Sequence, residues 1–337
     1  MDVSSFQESL LLTSLSAARS RISALHDLPK SLPSLPFDDQ YFSPSSYAAL
    51  FAERIPLRSP YRVSTSSNHI AISSLAGVVH LIDPASMTIH TNLTTLSHRN
   101  TVLNFLSPST LCFGDSDGNL AVHALEDSTT TTNKPFSDSF VTSIHSILDH
   151  VLLTSSNGFL SIHAPDANSS IFERHVSRSK ITTSSRHPDQ SVAALASRGS
   201  ISLWDLRNGN RVGLLPNSHP ETCSSLDFHQ NGFYLASGGT DNLINVYDIR
   251  KLEKVYEVFN HRRVISRVRW LDSPRPVLVS SCFEGNMVVR DVLLNRNLTE
   301  YQGHDGRVVD FDLINHSDLT MISIGSDGLY KFWGNVC

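Results

Sequence analysis

Cysteine pairs, long apolar runs and an excess of charge of one sign are all missing from this 337-residue chain, and each absence closes off a class of function. The four cysteines stand far apart at 112, 223, 282 and 337. None forms a CxxC pair, so neither a zinc site nor a disulfide framework is indicated. Free thiols fit a reducing compartment, nuclear or cytoplasmic. No apolar run approaches the roughly 20 residues that span a bilayer. Lys and Arg number 27 against 32 Asp and Glu, a formal charge of -5. That balance gives no global pull toward nucleic acid or an anionic membrane. A Gly-rich phosphate loop, a nucleophile elbow and an HExxH spacing are also missing. No enzyme, cofactor or metal is therefore expected. Asp2, Glu8 and the lack of a basic n-region argue against a signal or transit peptide.

What is present is a ruler. Ile82, His123, His163, Trp204, Tyr247, Arg290 and Trp333 are separated by 41, 40, 41, 43, 43 and 43 residues. Each ends a short run with strand-like alternation, and four are followed by Asp83, Asp205, Asp248 and Asp291. A period of about 40–45 residues ending in Trp-Asp is the mark of a β-propeller with one four-stranded blade per repeat. The fold class predicted is all-β, a seven-bladed propeller over residues 50–337 with a short α-helical N-terminal extension over 1–49. The seventh repeat shows three strands up to Cys337. An unpaired edge there would be a liability. Residues 50–58, with Ile55 and Leu57 on one face, are expected to supply the fourth strand.

Within the extension, Phe6, Leu10, Leu15, Ala18, Ile22 and Leu25 give helical spacing over 5–27, with Ser5 and Glu8 as a capping box. Pro29 stops that helix, and three prolines in LPKSLPSLPFDD make a stiff connector. A second short helix is expected from Ser43, with Pro44 as its first residue, to about Glu53.

From about residue 55 to 335 the chain resembles the WD-repeat family. A well-formed blade of that family carries a hydrogen-bonded set: a loop His, a strand Ser or Thr, a turn Asp and a strand Trp. Blade seven matches with His304, Ser323, Asp327 and Trp333. Blade five matches with His219, Ser237 and Asp241, and has Tyr247 in place of Trp. Blade six keeps His261 and Ser280 but has Glu284 and Arg290. Blade four keeps Trp204 and Asp205, with Arg198 where the turn Asp belongs. Blades one to three retain fragments such as His98 and Asp117. These sets imply buried, blade-locking hydrogen bonds and not a hydrolase triad.

The resemblance implies a platform for other proteins in a multisubunit complex. Loops before the first strand of four blades carry Arg99, Arg178, Lys180, Arg262, Arg263 and Arg307. Cations on one rim suit an acidic or phosphorylated partner. Arg267 and Arg269 alternate in ISRVRW and are expected to face outward. No aromatic platform accompanies the arginines, so direct nucleic-acid binding is not expected. The alternative is a substrate receptor of a cullin-4-type ubiquitin ligase. Trp204-Asp205-Leu206-Arg207, echoed by Tyr247-Asp248-Ile249-Arg250, is similar to the adaptor-docking signature of such receptors, with Arg207 and Arg250 facing the adaptor together with the N-terminal helices.

Overall fold

Val, Ile, Leu and aromatic residues alternating with polar ones pleat into strands buried on one face. In the computed structural model these runs form seven antiparallel four-stranded sheets. The structure describes residues 51–54 and 59–334, apart from 94, 95, 97, 165–169, 260, 274, 317 and 318. The blades are residues 60–93, 100–133, 141–175, 181–215, 223–258, 265–302 and 308–334. Within the first six, strands follow one another in chain order from the first, beside the channel, to the fourth at the circumference. The first strands of successive blades are neighbours, and Pro60–Thr65 against Val308–His316 closes the ring.

The seventh blade takes its outer strand from the other end of the chain. Phe51–Arg54 pairs antiparallel with Leu329–Gly334, Phe51 opposite Phe332 and Arg54 opposite Leu329. This corrects the expectation of a helix reaching Glu53. The unpaired edge of the last strand offers backbone partners that a terminal helical turn would leave unused. The helix expected at 5–27, the rest of the second helix, and Ile55 and Leu57 lie outside the described residues.

The seven ruler positions share one structural address. All lie on third strands, and each pairs with a second-strand residue: Ile82 with Ile70, Trp204 with Ala193, Tyr247 with Leu235, Trp333 with Met321. Seven hydrophobic clusters lie between adjacent sheets. One joins Val63, Ile70 and Ile72 of blade one to Ile322, Ile324 and Phe332 of blade seven. The core is thus a ring of inter-blade layers, and no blade buries its faces alone.

Side chains of the first strands stitch the blades together. Ser143, Ser225 and Asp310 each accept the main-chain N–H of Ser184, Val268 or Val63 in the next blade. Asp227 accepts the N–H of Trp270 at 2.8 Å, and Asp312 that of Thr65 at 3.0 Å. Nearer the start of the same strands, Thr101, Thr182 and Ser224 donate to the carbonyls of Val141, Cys223 and Ile265. A strand pairs only within its own sheet, so these side chains carry the hydrogen bonding from sheet to sheet.

Candidate functional site

The loop before each first strand and the turn between second and third strands meet on one face of the ring. Main-chain hydrogen bonds join them, as from Ser326 N to Arg307 O and from Thr240 N to Thr222 O. On this face His304 receives a hydrogen bond from Ser323 at Nε2, 2.8 Å, and faces the Asp327 carboxylate through Nδ1 at 3.0 Å. Trp333 Nε1 donates to the same Ser323 hydroxyl at 2.9 Å. The protons then run one way, from indole to hydroxyl to ring and from ring to carboxylate, which requires a neutral His304 protonated at Nδ1. Burial lowers the His304 pKa and outweighs Asp327, which pulls it up. His219 is held the same way, by Ser237 at 2.8 Å and Asp241 at 2.9 Å. Tyr247 fills the Trp place fully buried. Ser237 and Ser323 have no exposed surface, so neither hydroxyl is open to a substrate.

A signal that sequence reasoning overlooked accompanies these locks. The second-strand residue facing the start of the first strand is Gly239 in blade five and Gly325 in blade seven. Elsewhere it is Ser74, Asp115, Ser155, Ser197 or Cys282. A Cβ on Gly325 would lie 2.3 Å from His304 Nδ1 and 2.4 Å from Asp327 Oδ1. The buried His–Asp pair occupies the volume a side chain would take. Gly325→Ala is expected to cost about 2–4 kcal/mol by overpacking and breaking the pair, read as a lower urea midpoint. An unchanged midpoint would show that the pair is dispensable. The remaining blades lock differently. Asp115 accepts the N–H groups of Asp117 and Asn119 in blade two. His98 meets Asp117 at 3.1 Å, both half-exposed. In blade six His261 keeps the Ser280 contact at 2.7 Å.

All six rim cations, Arg99, Arg178, Lys180, Arg262, Arg263 and Arg307, are exposed. Lys180 sits over the Phe140 ring at 5.0 Å. Arg263 and Arg307 share a groove of about 440 Å³ with Val264, Phe283 and Glu284, and the Arg307 guanidinium lies 5.1 Å from the Phe283 ring centre. Phe283 is exposed there, and Phe259 stands 71% exposed in the loop before Arg262. Glu284 and Asp305 temper the charge, leaving Arg262, Arg263 and Arg307 in excess by one.

The two WDxR-type arginines lie on the opposite face, in the turn between third and fourth strands. Arg207 folds back on Asp205, with Nε to Oδ1 at 3.0 Å and Nη2 to Oδ2 at 2.6 Å. Arg250 grips Asp248 in the same fork and stacks 4.2 Å from the Phe233 ring. The bidentate fork is the geometry of a strong charge-assisted pair. The hydrogen bond from Arg250 holds Asp248 below the usual carboxylate range. For Asp205, bonds from Arg207 achieve the same against the opposing push of burial.

Arg267 and Arg269 correct the sequence reading. They line the central channel, because Ile265–Trp270 is a first strand and its polar face looks inward. Arg269 bridges Asp227 and Asp312, at 3.3 Å to each. Burial would lower its pKa, but the two carboxylates hold it above the ordinary value. Arg267 reaches Asp310 at 3.5 Å, and burial lowers its pKa despite that carboxylate. Among the described residues no group of three or more His, Cys, Asp and Glu is placed to hold a metal ion.

A family model described as "WD domain, G-beta repeat" matches residues 211–248. That stretch runs from the outer strand of blade four through the first three strands of blade five, so the sequence repeat straddles two blades. Among curated proteins, Transcription factor unc-37 of Caenorhabditis elegans is 30% identical over 149 residues, 43% of this chain and 23% of that protein. The Guanine nucleotide-binding protein G(I)/G(S)/G(T) subunit beta-1 of Homarus americanus is 25% identical over 130 residues, 37% of each chain. The Ribosome biogenesis protein WDR12 homolog of Oryza sativa subsp. japonica is 26% identical over 116 residues, 34% of this chain and 26% of that protein. The chain thus spans well under half the length of these relatives.

Proposed function

The chain belongs to the WD-repeat β-propeller family, and from that premise we propose that it is a non-enzymatic scaffold that holds proteins together in a nuclear or cytoplasmic complex. The rim groove of blades six and seven docks an acidic or phosphorylated segment. The observation that carries this reading is the pairing of Arg263 and Arg307 around an exposed Phe283. An aromatic floor with guanidinium walls suits a carboxylate or phosphate next to an apolar side chain. The names of the relatives, a transcription factor, a G-protein subunit and a ribosome biogenesis protein, agree with assembly roles of this kind. The buried serines of the His–Ser–Asp sets support the absence of catalysis.

The ligase-receptor alternative is not favoured by a specific contact. Arg207 and Arg250 are each engaged by the Asp two residues earlier, which serves the turn itself. For the scaffold, Arg263→Glu with Arg307→Glu should remove a partner whose acidic segment crosslinks to blades six and seven, with thermal stability unchanged. Charge reversal typically costs several kcal/mol at a complementary interface. Undiminished crosslinking by the folded double variant would overturn the groove as the docking site.

A further inference from the structure

The channel presents a second, chemically distinct feature on the face away from the rim groove. A cavity of about 430 Å³ opens beside the turns that hold Pro188 and Gln230, where first strands end. It is lined by Arg62, Arg186, Arg267 and Arg269, coming from blades one, four and six. Asp227 is the carboxylate among its lining residues. Asp310 and Asp312 stand behind the wall, where Asp310 has no exposed surface. Four guanidinium groups converge on this small volume, Arg269, Arg267 and Arg62 meeting Asp227, Asp310 and Asp312 from the side of the wall and Arg186 feeling the charge of Asp189.

The arginines differ in how far they are already engaged. Arg269 is spent on Asp227 and Asp312. Arg267 meets Asp310 through Nε at 3.5 Å, and Arg62 is 3.9 Å from the same carboxylate. Among the described residues the Arg186 side chain makes no hydrogen bond or close ion pair. Burial lowers its pKa, opposed by the charge of Asp189, which is itself bound by His187 and Ser191. His145 lies between these groups. Burial, then Arg186 and Arg269, hold its pKa down at about 3, so its ring adds no positive charge but takes no proton from a ligand. The side chains of Arg62 and Arg267 are 26% and 23% exposed, so their guanidinium groups reach solvent in the channel and present N–H donors to an entering anion.

We propose that this channel mouth binds a small soluble anion carrying two or more phosphate groups, held by Arg62, Arg186 and Arg267. Several arginines converging from three blades require a ligand with charge at more than one point. Planar guanidinium groups match phosphate oxygens in pairs. A volume of about 430 Å³ admits a compact small molecule and not a folded segment. Because the three arginines come from blades far apart in the chain, such a ligand would also tie blades one, four and six across the channel.

The test is isothermal titration calorimetry of the full-length chain with pyrophosphate and with inositol hexakisphosphate at physiological ionic strength. One-to-one binding is expected. Arg186→Gln, which removes the charge beside Asp189 and His145, should weaken it by about tenfold, as loss of a charged hydrogen bond does. Arg62→Gln should do the same, and thermal melting establishes that each variant folds. Arg211→Gln, exposed on the outer strand of blade four, should bind as the parent does. No binding of either probe, equal loss in Arg211→Gln, or full binding by folded Arg186→Gln and Arg62→Gln would overturn the site. Preference for a phosphoserine peptide over both probes would overturn the small-molecule assignment.

Discussion

Asp310→Ala is expected to destabilise the propeller by about 3–5 kcal/mol, the usual cost of stripping one partner from a buried ion pair. Asp310 is fully buried at the seam where the last blade meets the first. It accepts the Val63 N–H at 3.2 Å and neutralises Arg267 and, less closely, Arg62. Its removal leaves Arg267 in a low-dielectric wall with no carboxylate of its own and leaves the Val63 N–H without an acceptor. Both costs fall on the interface that closes the ring, where the last blade meets the first. Asp310→Asn separates the two, since an amide oxygen still accepts the N–H but brings no charge. It should lie between the parent and alanine. The measurement is the urea midpoint of the three proteins. If alanine falls within about 1 kcal/mol of the parent, the range of an ordinary mutation, the seam does not depend on this carboxylate.

The sequence made the ring legible and hid its inside. Repeat length alone placed the third strands, because a blade needs a near-constant number of residues whatever its polar contacts. The His, Ser and Asp letters identified blades five and seven, whose locks need three specific side chains. Blades one to three use other locks: Asp115 capping a turn, or Ser155 bonding Asn157 at 2.6 Å. These have no fixed signature. The channel charges were misread because alternation reports two faces and not which of them meets water. In ISRVRW the arginine face looks solvent-bound, and only the ring geometry turns it inward. Gly239 and Gly325 were readable in principle, but their meaning depends on the His–Asp pair that fills their missing Cβ volume. The closing strand Phe51–Arg54 spans four residues, too few for a period to outvote helical spacing.

Stability should fall as pH drops from about 6.5 toward 4, before the carboxylates titrate. His261 is held down at about 4 by burial, and His145 at about 3 by burial with Arg186, Arg269 and Arg267 adding to it. In blades five and seven Asp241 and Asp327 oppose the burial of His219 and His304. Blade six has Glu284 in place of the turn Asp, and burial is what acts on His261. A folded pKa below that of the unfolded chain means the unfolded chain binds more protons between the two values. Acidification therefore favours unfolding from 6.5 down to the folded pKa, and stability is fully present above 6.5. Each unit is worth about 1.4 kcal/mol. Both rings keep some contact with solvent, so a combined loss of about 3–5 kcal/mol is the expected scale. Asp205 and Asp248, whose pKa values are lowered, add their losses only below the ordinary carboxylate range. The window thus separates the two sources. Urea midpoints taken from pH 7 to 4.5 should decline steadily, and His261→Asn should be less stable at pH 7 but flatter across the range. A flat profile in the parent would mean that these rings are protonated within the folded ring at no cost.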